Sequence, residues 1–108
     1  MKVSELLSEG FKEIALPSPD REIDGVYIGD LLSWVMGRAQ ADNAWITIMS
    51  NVNVIAVASL ADTACVILSE GVELEDSLKQ QAEMKDINVL STDLPSYEAA
   101  VKLYELLK

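Results

Sequence analysis

Three short stretches of this chain carry polar residues whose types and spacing suit ligand chemistry. In the first, Ser50, Asn51 and Asn53 stand in a turn between two apolar segments. The free amide groups at the start of a helix attract anions, but a Ser or Asn at that position also caps its own helix. Both interpretations stay open, and capping is favoured because phosphate sites usually add a glycine and a basic residue that this turn lacks.

The other two stretches place charged residues in predicted turns. Asp20 and Arg21 follow Pro17 and Pro19, where their ion pair either orders the loop or presents Arg21 to an anion. Asp30 precedes an apolar helical segment and is interpreted as a helix cap in preference to a base. The predicted ligand-binding residues are therefore Ser50, Asn51, Asn53, Asp20, Arg21 and Asp30.

Several kinds of catalytic group are missing. The chain has no histidine, which removes the usual general base, a common metal ligand and the Ser-His and Cys-His pairs. Its one cysteine, Cys65, lies in the apolar run "ACVIL" and is predicted to be a buried structural thiol. We therefore predict a protein that is not an enzyme, with no catalytic residue, no metal ligand and no cofactor. The alternative that stays open is an enzyme that uses carboxylates, which would need a deep pocket with convergent acidic residues.

The charge balance limits the class of partner. Eighteen acidic residues against eight basic ones give a formal net charge of −10, which would repel nucleic acid. The acidic group Glu70, Glu73, Glu75, Asp76, Glu83 and Asp86 is interpreted as a solvated helical face rather than a cation site or a docking surface for a basic partner. Asn51 and Asn53 interrupt the longest apolar stretch, and no secretion signal pattern is present, so the expected location is the cytoplasm, with no membrane span.

Helical and strand patterns alternate along the 108 residues, which we expect to form a single domain, 1–108. The stretch "TIMSNVNVIAVASL" is ambiguous, because Asn51 to Val54 alternate as in a strand whereas the following residues are apolar on all sides. The apolar runs "AWITIM" and "TACVILS" flank it and are typical of parallel strands, which need a helical crossover between them. We therefore predict a helix at 52–61 and an α/β fold, a three-layer α/β/α sandwich with a mainly parallel sheet.

Two further helices are predicted in detail. In "GDLLSWVMG", Asp30 is the expected N-cap, with Leu31, Leu32, Val35 and Met36 facing inward. In "PSYEAAVKLYELLK", Ser96 is the expected N-cap, and the predicted buried stripe contains Ala100, Leu103, Tyr104 and Leu107.

The helix at 52–61 also suggests an interface. A helix that is apolar on all sides must be covered on all sides, and in so short a chain we expect a second subunit to supply part of that cover. The predicted interface residues are Val54, Val57 and Ala58, with Trp34 as an aromatic anchor. Trp45 suits the interface and the core equally well. The expected assembly is a homodimer or a larger homo-oligomer.

The order of these elements resembles that of a freestanding DRTGG-domain protein, similar to the N-terminal domain of HPr kinase/phosphorylase. The resemblance rests on Asp20-Arg21 with Gly25, on the helix start Gly29-Asp30, on the strand "WITI" with its turn, and on the strand ending in "SEG". Members embedded in larger proteins often have a Gly-Asp-Arg turn after the matching strand, where this chain has Met49-Ser50-Asn51.

The resemblance implies a regulatory domain without catalytic residues of its own. It also implies a setting beside iron hydrogenase subunits or sensor kinases, where freestanding members are found. The leading hypothesis is a non-catalytic regulatory or interaction module that senses a small ligand such as a nucleotide and acts through homo-oligomer and partner contacts. The alternative is a ligand-free assembly or scaffold protein associated with hydrogenase or sensor-kinase systems.

Overall fold

A mixed sheet of five short strands forms the middle layer of the protein in the computed structural model, which describes residues 1–108. The strands are β1 (Lys12–Ala15), β2 (Val26–Ile28), β3 (Ala44–Thr47), β4 (Cys65–Leu68) and β5 (Val89–Ser91). Their spatial order is β1-β5-β4-β3-β2. The last four strands are mutually parallel, and β1 is antiparallel to β5. The predicted mainly parallel sheet is confirmed.

Helices cover both faces of this sheet. The helical elements are an N-terminal 3-10 helix (Val3–Glu9), α1 (Leu32–Arg38), α2 (Val52–Ala61), α3 (Asp76–Met84) and α4 (Ser96–Leu107). Residues of α1, α2 and α3 share one apolar cluster, and those of the 3-10 helix and α4 share another on the opposite face. The predicted three-layer arrangement is therefore confirmed. None of the helices combines the length and apolarity that a membrane crossing demands.

The central strands are buried on both faces, as their continuous apolar runs predict. Every residue of β3 and β4 is buried. Trp45 is fully buried in β3, and its indole Nε1 donates a hydrogen bond to the carbonyl of Gly29 at 2.9 Å. Trp45 therefore belongs to the core, and the interface interpretation of this residue does not hold.

Helix α2 occupies the predicted range 52–61, but its cover differs from the prediction. Val54, Val57 and Ala58 are buried within their own chain, in a cluster that includes residues of α1 and α3. Because α2 lies between those two helices and above the sheet, three of its sides are covered internally. The expectation that these three residues form a subunit interface is therefore wrong.

The N-caps of two other helices each lie one residue away from the expected cap. Leu31, not Asp30, is the N-cap of α1, and Leu31 and Met36 are exposed rather than inward. Pro95 is the N-cap of α4, so Ser96 is the first residue inside the helix. Its buried residues are Ala99 and Leu103, whereas the predicted core residue Tyr104 is 64% exposed.

Candidate functional site

The structure separates the predicted ligand-binding residues into two groups, one at the carboxyl ends and the other at the amino ends of the parallel strands. Asp30 and the turn 50–53 follow the carboxyl ends of β2 and β3. Asp20 and Arg21 precede β2 and lie at the amino ends of the strands, because Arg21 contacts residues that directly precede β3 and β4. Ligands of parallel α/β sheets usually bind at the carboxyl edge, and only the first group lies there.

Asp30 braces the turn that follows β3. Its Oδ1 accepts hydrogen bonds from Thr47 Oγ1 at 2.8 Å and from the amide of Ile48 at 2.9 Å. Thr47 Oγ1 in turn accepts from the amide of Met49 at 3.1 Å. The carboxylate therefore accepts the hydrogen bonds of Thr47 and Ile48 at the end of β3. It does not cap α1, whose N-cap is Leu31.

The turn at 50–53 caps helix α2, which is the interpretation that the sequence favours. Asn51 Oδ1 accepts a hydrogen bond from the amide of Asn53 at 3.0 Å, the usual geometry of a helix N-cap. Asn53 is exposed and Ser50 is half-buried. A ligand role for these three residues stays a prediction, while this contact establishes Asn51 as the cap of α2.

Arg21 is a clamp at the opposite edge of the sheet. Its Nη2 donates to Asp42 Oδ1 and to Asp62 Oδ1, each at 2.9 Å, and to the Asp62 carbonyl at 2.7 Å. Burial alone would lower the pKa of Arg21, but the hydrogen bonds and charges of the two aspartates raise it above its ordinary value. Asp20 pairs with Lys2 at 3.7 Å and not with Arg21. The guanidinium donors are therefore directed to the chain itself.

A polar cleft of about 490 Å³ lies at the carboxyl edge, between β1, β5 and the beginning of α3. This volume lies in the range of small-molecule sites, roughly 300–1,000 Å³. The residues that line the cleft are Lys12, Ile14, Gly71, Val72, Glu73, Leu74, Glu75, Asp76, Lys79, Ser91 and Asp93. We refer to this set below as the polar cleft.

Two lysines give the polar cleft its cationic groups. Lys12 Nζ lies 3.2 Å from Asp93 Oδ2, and Lys79 Nζ lies 3.3 Å from Asp76 Oδ1. All four side chains are at least 43% exposed, and exposed pairs of this kind contribute little to stability. The lysines are therefore free to exchange their carboxylate partners for an anionic ligand at small cost.

The first turn of α3 adds hydrogen-bond donors to the same cleft. Glu75 is the N-cap of this nine-residue helix, but its side chain makes no cap hydrogen bond. The amide groups of Asp76 and Ser77 donate to no group of the chain, and the helix dipole places partial positive charge there. Of these two residues, Asp76 lines the cleft. Donors, lysines and apolar side chains such as Ile14 and Leu74 line one space.

The sequence prediction missed both lysines of the cleft. Lys12 and Lys79 are 67 positions apart, and they meet because β1 is antiparallel to β5 with Lys12 opposite Ser91. The alternating pattern of helices and strands left the strand order open. The signal that could have been used is Lys12, the first residue of β1. It becomes informative only when β1 is known to be an edge strand.

A second concavity has the opposite character. This apolar groove of about 620 Å³ lies between β2 and α4. Its lining residues are Gly25, Val26, Ile28, Tyr97, Ala100, Val101, Tyr104, Leu107 and Lys108. No acidic side chain lines it and Lys108 is its one charged side chain, so it suits an apolar macromolecular surface more than a phosphorylated ligand. Trp34, the fourth predicted interface residue, is exposed on α1, where the Arg38 guanidinium lies 3.7 Å from its ring centroid.

The single cysteine of the chain lies outside both concavities. Cys65 is buried in β4, and burial raises the pKa of its thiol to about 12, against a smaller opposing effect of the Arg21 charge. A thiol that stays protonated is a poor nucleophile. No three His, Cys, Asp or Glu side chains are arranged to hold a metal ion.

The family of the chain follows from comparison with known sequences. The family model described as the DRTGG domain matches residues 20–106. The chain belongs to the DRTGG domain family. This match confirms the resemblance predicted from Asp20-Arg21 and the order of elements along the chain, while similarity to the N-terminal domain of HPr kinase stays a prediction. No curated protein matches the sequence of this chain significantly.

One solved structure relates the DRTGG fold to a larger protein. It contains the CBS and DRTGG domains of the regulatory region of Clostridium perfringens pyrophosphatase, complexed with the activator diadenosine tetraphosphate. The TM-score is 0.69 at 13% sequence identity, over 94% of this chain and 44% of that chain. At this identity the likeness establishes the fold, and the present chain spans less than half of the length of its structural neighbour.

Proposed function

We propose that this DRTGG chain is a non-catalytic regulatory module that binds a nucleotide in the polar cleft and acts through contacts with copies of itself and with partner proteins. The observation that carries the proposal is the convergence of Lys12, Lys79 and the uncapped first turn of α3 on one cleft at the carboxyl edge. Ammonium groups and helix-start amides are the donors that bind phosphate oxygens. The ligand role predicted for Ser50 and Asn53 stays secondary to this cleft.

The acidic residues of the cleft restrict the form of the ligand. Glu73, Glu75, Asp76 and Asp93 also line it, so the lining carries more negative than positive charge. A nucleotide that arrives with Mg²⁺ suits this mixture, because Mg²⁺ is usually bound by one or two carboxylates together with phosphate oxygens. We therefore expect a nucleoside di- or triphosphate or a dinucleoside polyphosphate to bind more tightly with Mg²⁺ than without it.

The structural neighbour supports a regulatory role of this kind. Its regulatory region is complexed with a dinucleotide activator, and a DRTGG domain is part of that region. The shared fold makes the same ligand class a sensible first choice for this chain. The missing histidine and the protonated, buried Cys65 support a module without catalysis of its own.

Calorimetric titration of the chain tests the proposal. The ligands are ATP, ADP, AMP, adenosine and diadenosine tetraphosphate, each with Mg²⁺ and with EDTA. We expect Lys79→Gln to weaken binding about tenfold or more, since a charge-assisted hydrogen bond contributes about 1.5–3 kcal/mol. Lys85→Gln is the matched control, because Lys85 lies at the other end of α3 and outside the cleft.

Three results would refute the proposal. The first is the absence of heat and of any shift in melting temperature for all five ligands at millimolar concentration. The second is an equal loss of affinity in the Lys79 and Lys85 variants, which would mean that net charge and not the cleft governs binding. Tight binding of adenosine alone would also contradict a site built for phosphates.

The apolar groove favours a second candidate function, an assembly or scaffold protein that binds no small ligand. Hydrogenase or sensor-kinase components are the partners that the family resemblance implies. In that case the chain would bind such a partner equally well with Lys79→Gln, and nucleotides would have no effect on the complex. Salt-dependent co-purification with those components, insensitive to nucleotide, favours the second candidate over the first.

A further inference from the structure

The two edge strands of the sheet, β1 and β2, differ in how well they are protected from pairing with another strand. β1 carries Lys12 and Glu13 and has an irregular register between Glu13 and Ala15. Charged residues and bulges are the devices by which proteins protect a sheet edge from pairing with another strand. β2 has neither device: its sequence is Val-Tyr-Ile, and its register with β3 is regular. One edge is therefore protected and the other is open.

The open edge offers a defined set of hydrogen-bonding groups. The Gly25 carbonyl accepts from Ala44 at 3.0 Å, and the Gly29 amide donates to Ile46 at 3.1 Å, so the odd-numbered residues of this segment pair with β3. Because backbone groups alternate in direction along a strand, the amides and carbonyls of Val26 and Ile28 point away from the sheet. A strand placed beside β2 would meet two donors and two acceptors.

The apolar groove lies directly beside this edge. Four exposed apolar side chains of the groove are Ile28 at 50%, Tyr97 at 77%, Val101 at 41% and Tyr104 at 64%. The chain has eighteen acidic residues, yet none of them lines the groove. Two molecules of net charge −10 repel each other, so a contact between them is favoured where acidic side chains are absent. The apolar groove meets this condition.

We propose that the open edge of β2 and the apolar groove receive a second copy of this chain, with the two β2 strands antiparallel about a two-fold axis at Tyr27. Val26 of each copy then lies opposite Ile28 of the other, and each such pair exchanges two hydrogen bonds. The two five-stranded sheets become one continuous sheet. The proposal makes specific the homo-oligomer contacts of the proposed function and does not depend on a ligand.

The geometry of α4 favours a second copy over an extended peptide. The two-fold axis is normal to the sheet, so both α4 helices lie on the same face of the joined sheet. Each α4 packs on β2 and β3, and with strands about 4.8 Å apart the two helices come about 10 Å apart, a normal packing distance. A peptide strand would satisfy the edge of β2 but would leave the tyrosines of α4 largely exposed.

The contact area is sufficient for a specific dimer. Burying the four exposed side chains removes on the order of 400–500 Å² per copy, with about 150–250 Å² available from each aromatic side chain. Two copies therefore bury roughly 900 Å² before the strand edges are counted, and a specific interface requires about 1,000 Å² or more. The hydrogen-bonded strand edges supply the remainder.

Sedimentation equilibrium of the ligand-free chain and its variants tests this interface. We expect a dimer in the wild type, and we expect Ile28→Lys to raise the dimer dissociation constant at least about tenfold. Leu60→Lys is the matched control, since Leu60 is exposed on α2 and lies outside the groove. Tyr104→Lys repeats the test from α4, with Met84→Lys as its control, and circular dichroism verifies that each variant is folded.

A cysteine at position 27 supplies a test of the two-fold axis. Antiparallel residues that do not exchange hydrogen bonds have Cα atoms about 4.5 Å apart, within the range of a disulfide. Mild oxidation of Tyr27→Cys should therefore yield a covalent dimer, and the buried Cys65 should not. A monomer at all concentrations, a dimer that Ile28→Lys leaves intact, or equal losses in Ile28→Lys and its control Leu60→Lys would overturn the proposal without affecting the test of the nucleotide site.

Discussion

Arg21 and Asp62 lie 2.9 Å apart at the amino edge of the sheet and join the loop before β2 to the end of α2. The same guanidinium holds Asp42, the second residue before β3. Asp42 and Asp62 both have positive φ, 67° and 58°, a conformation that costs a non-glycine residue roughly 1 kcal/mol or more. Arg21, one of the residues on which the predicted family resemblance rests, is therefore a structural clamp on the side of the sheet away from the polar cleft.

Replacement of this arginine should destabilise the fold without affecting nucleotide binding. We expect Arg21→Lys to lower the free energy of unfolding by about 1–2 kcal/mol, because lysine cannot bond both aspartates in the same plane and the partly exposed partners are screened by solvent. Urea unfolding measures the loss. Arg38→Lys on exposed α1 should cost less than about 1 kcal/mol, and equal losses in the two variants would contradict the clamp.

The cap of α2 gives a second prediction. Asn51→Ala removes the acceptor for the Asn53 amide and should lower the free energy of unfolding by about 1 kcal/mol. Asn53→Ala is the control, because the Asn53 side chain is exposed and alanine favours helices, so it should leave stability unchanged or slightly higher. Thermal unfolding of the two variants distinguishes a cap from a turn whose side chains are dispensable.

The sequence predicted the layers of the fold better than the sites. The prediction of a helix at 52–61 rests on the crossover that a parallel pair of apolar strands needs, and the predicted inward position of Leu103 on α4 is confirmed. Both predictions use chemistry that is local along the chain. The α2 interface was predicted wrongly because its cover comes from α1 and α3, and the packing of neighbouring helices is not encoded in the residues of α2 itself.

The positions of caps and clefts needed tertiary information. Asp30 was assigned to α1 by proximity, but the end of β3, 17 residues later, offers it two better donors. Lys12 and Lys79 were overlooked because they meet only when β1 pairs with β5. Long-range pairings of this kind depend on strand order, which the spacing of elements did not determine.

The brace at Asp30 should be sensitive to the loss of its acceptor and not to the loss of its charge. Asp30→Ala leaves the buried Thr47 hydroxyl and the Ile48 amide without their partner, and we expect a loss of about 1–3 kcal/mol in the free energy of unfolding. Asp30→Asn keeps an acceptor oxygen and should lose less than half of that. Equal losses in the two variants, measured by urea unfolding, would indicate that the charge matters most.

Cys65 gives a prediction about alkaline pH. Burial raises the pKa of its thiol from an ordinary value of 9.0 to about 12, so between these values the unfolded chain releases a proton that the folded chain retains. The folded state therefore loses stability as the pH rises, by about 1.4 kcal/mol at pH 10 for one group. Cys65→Ala should unfold with a shallower pH dependence between pH 8 and pH 10. The native thiol should also resist alkylation at pH 8 until denaturant is added, and rapid labelling of folded protein would contradict its burial.

A salt series separates the two proposed sites, because their electrostatics have opposite signs. Nucleotide binding at Lys12 and Lys79 depends on attraction between exposed charges, and the Debye length falls from about 10 Å at 0.1 M salt to about 3 Å at 1 M. We therefore expect the affinity for a Mg²⁺-nucleotide to fall roughly tenfold over this range.

Two chains of net charge −10 repel each other, so association through the apolar groove, which no acidic side chain lines, should strengthen over the same range of salt concentration. Titration calorimetry and sedimentation in the same buffers measure both effects, and weakening of the dimer by salt would mean that charged residues outside the groove hold the copies together.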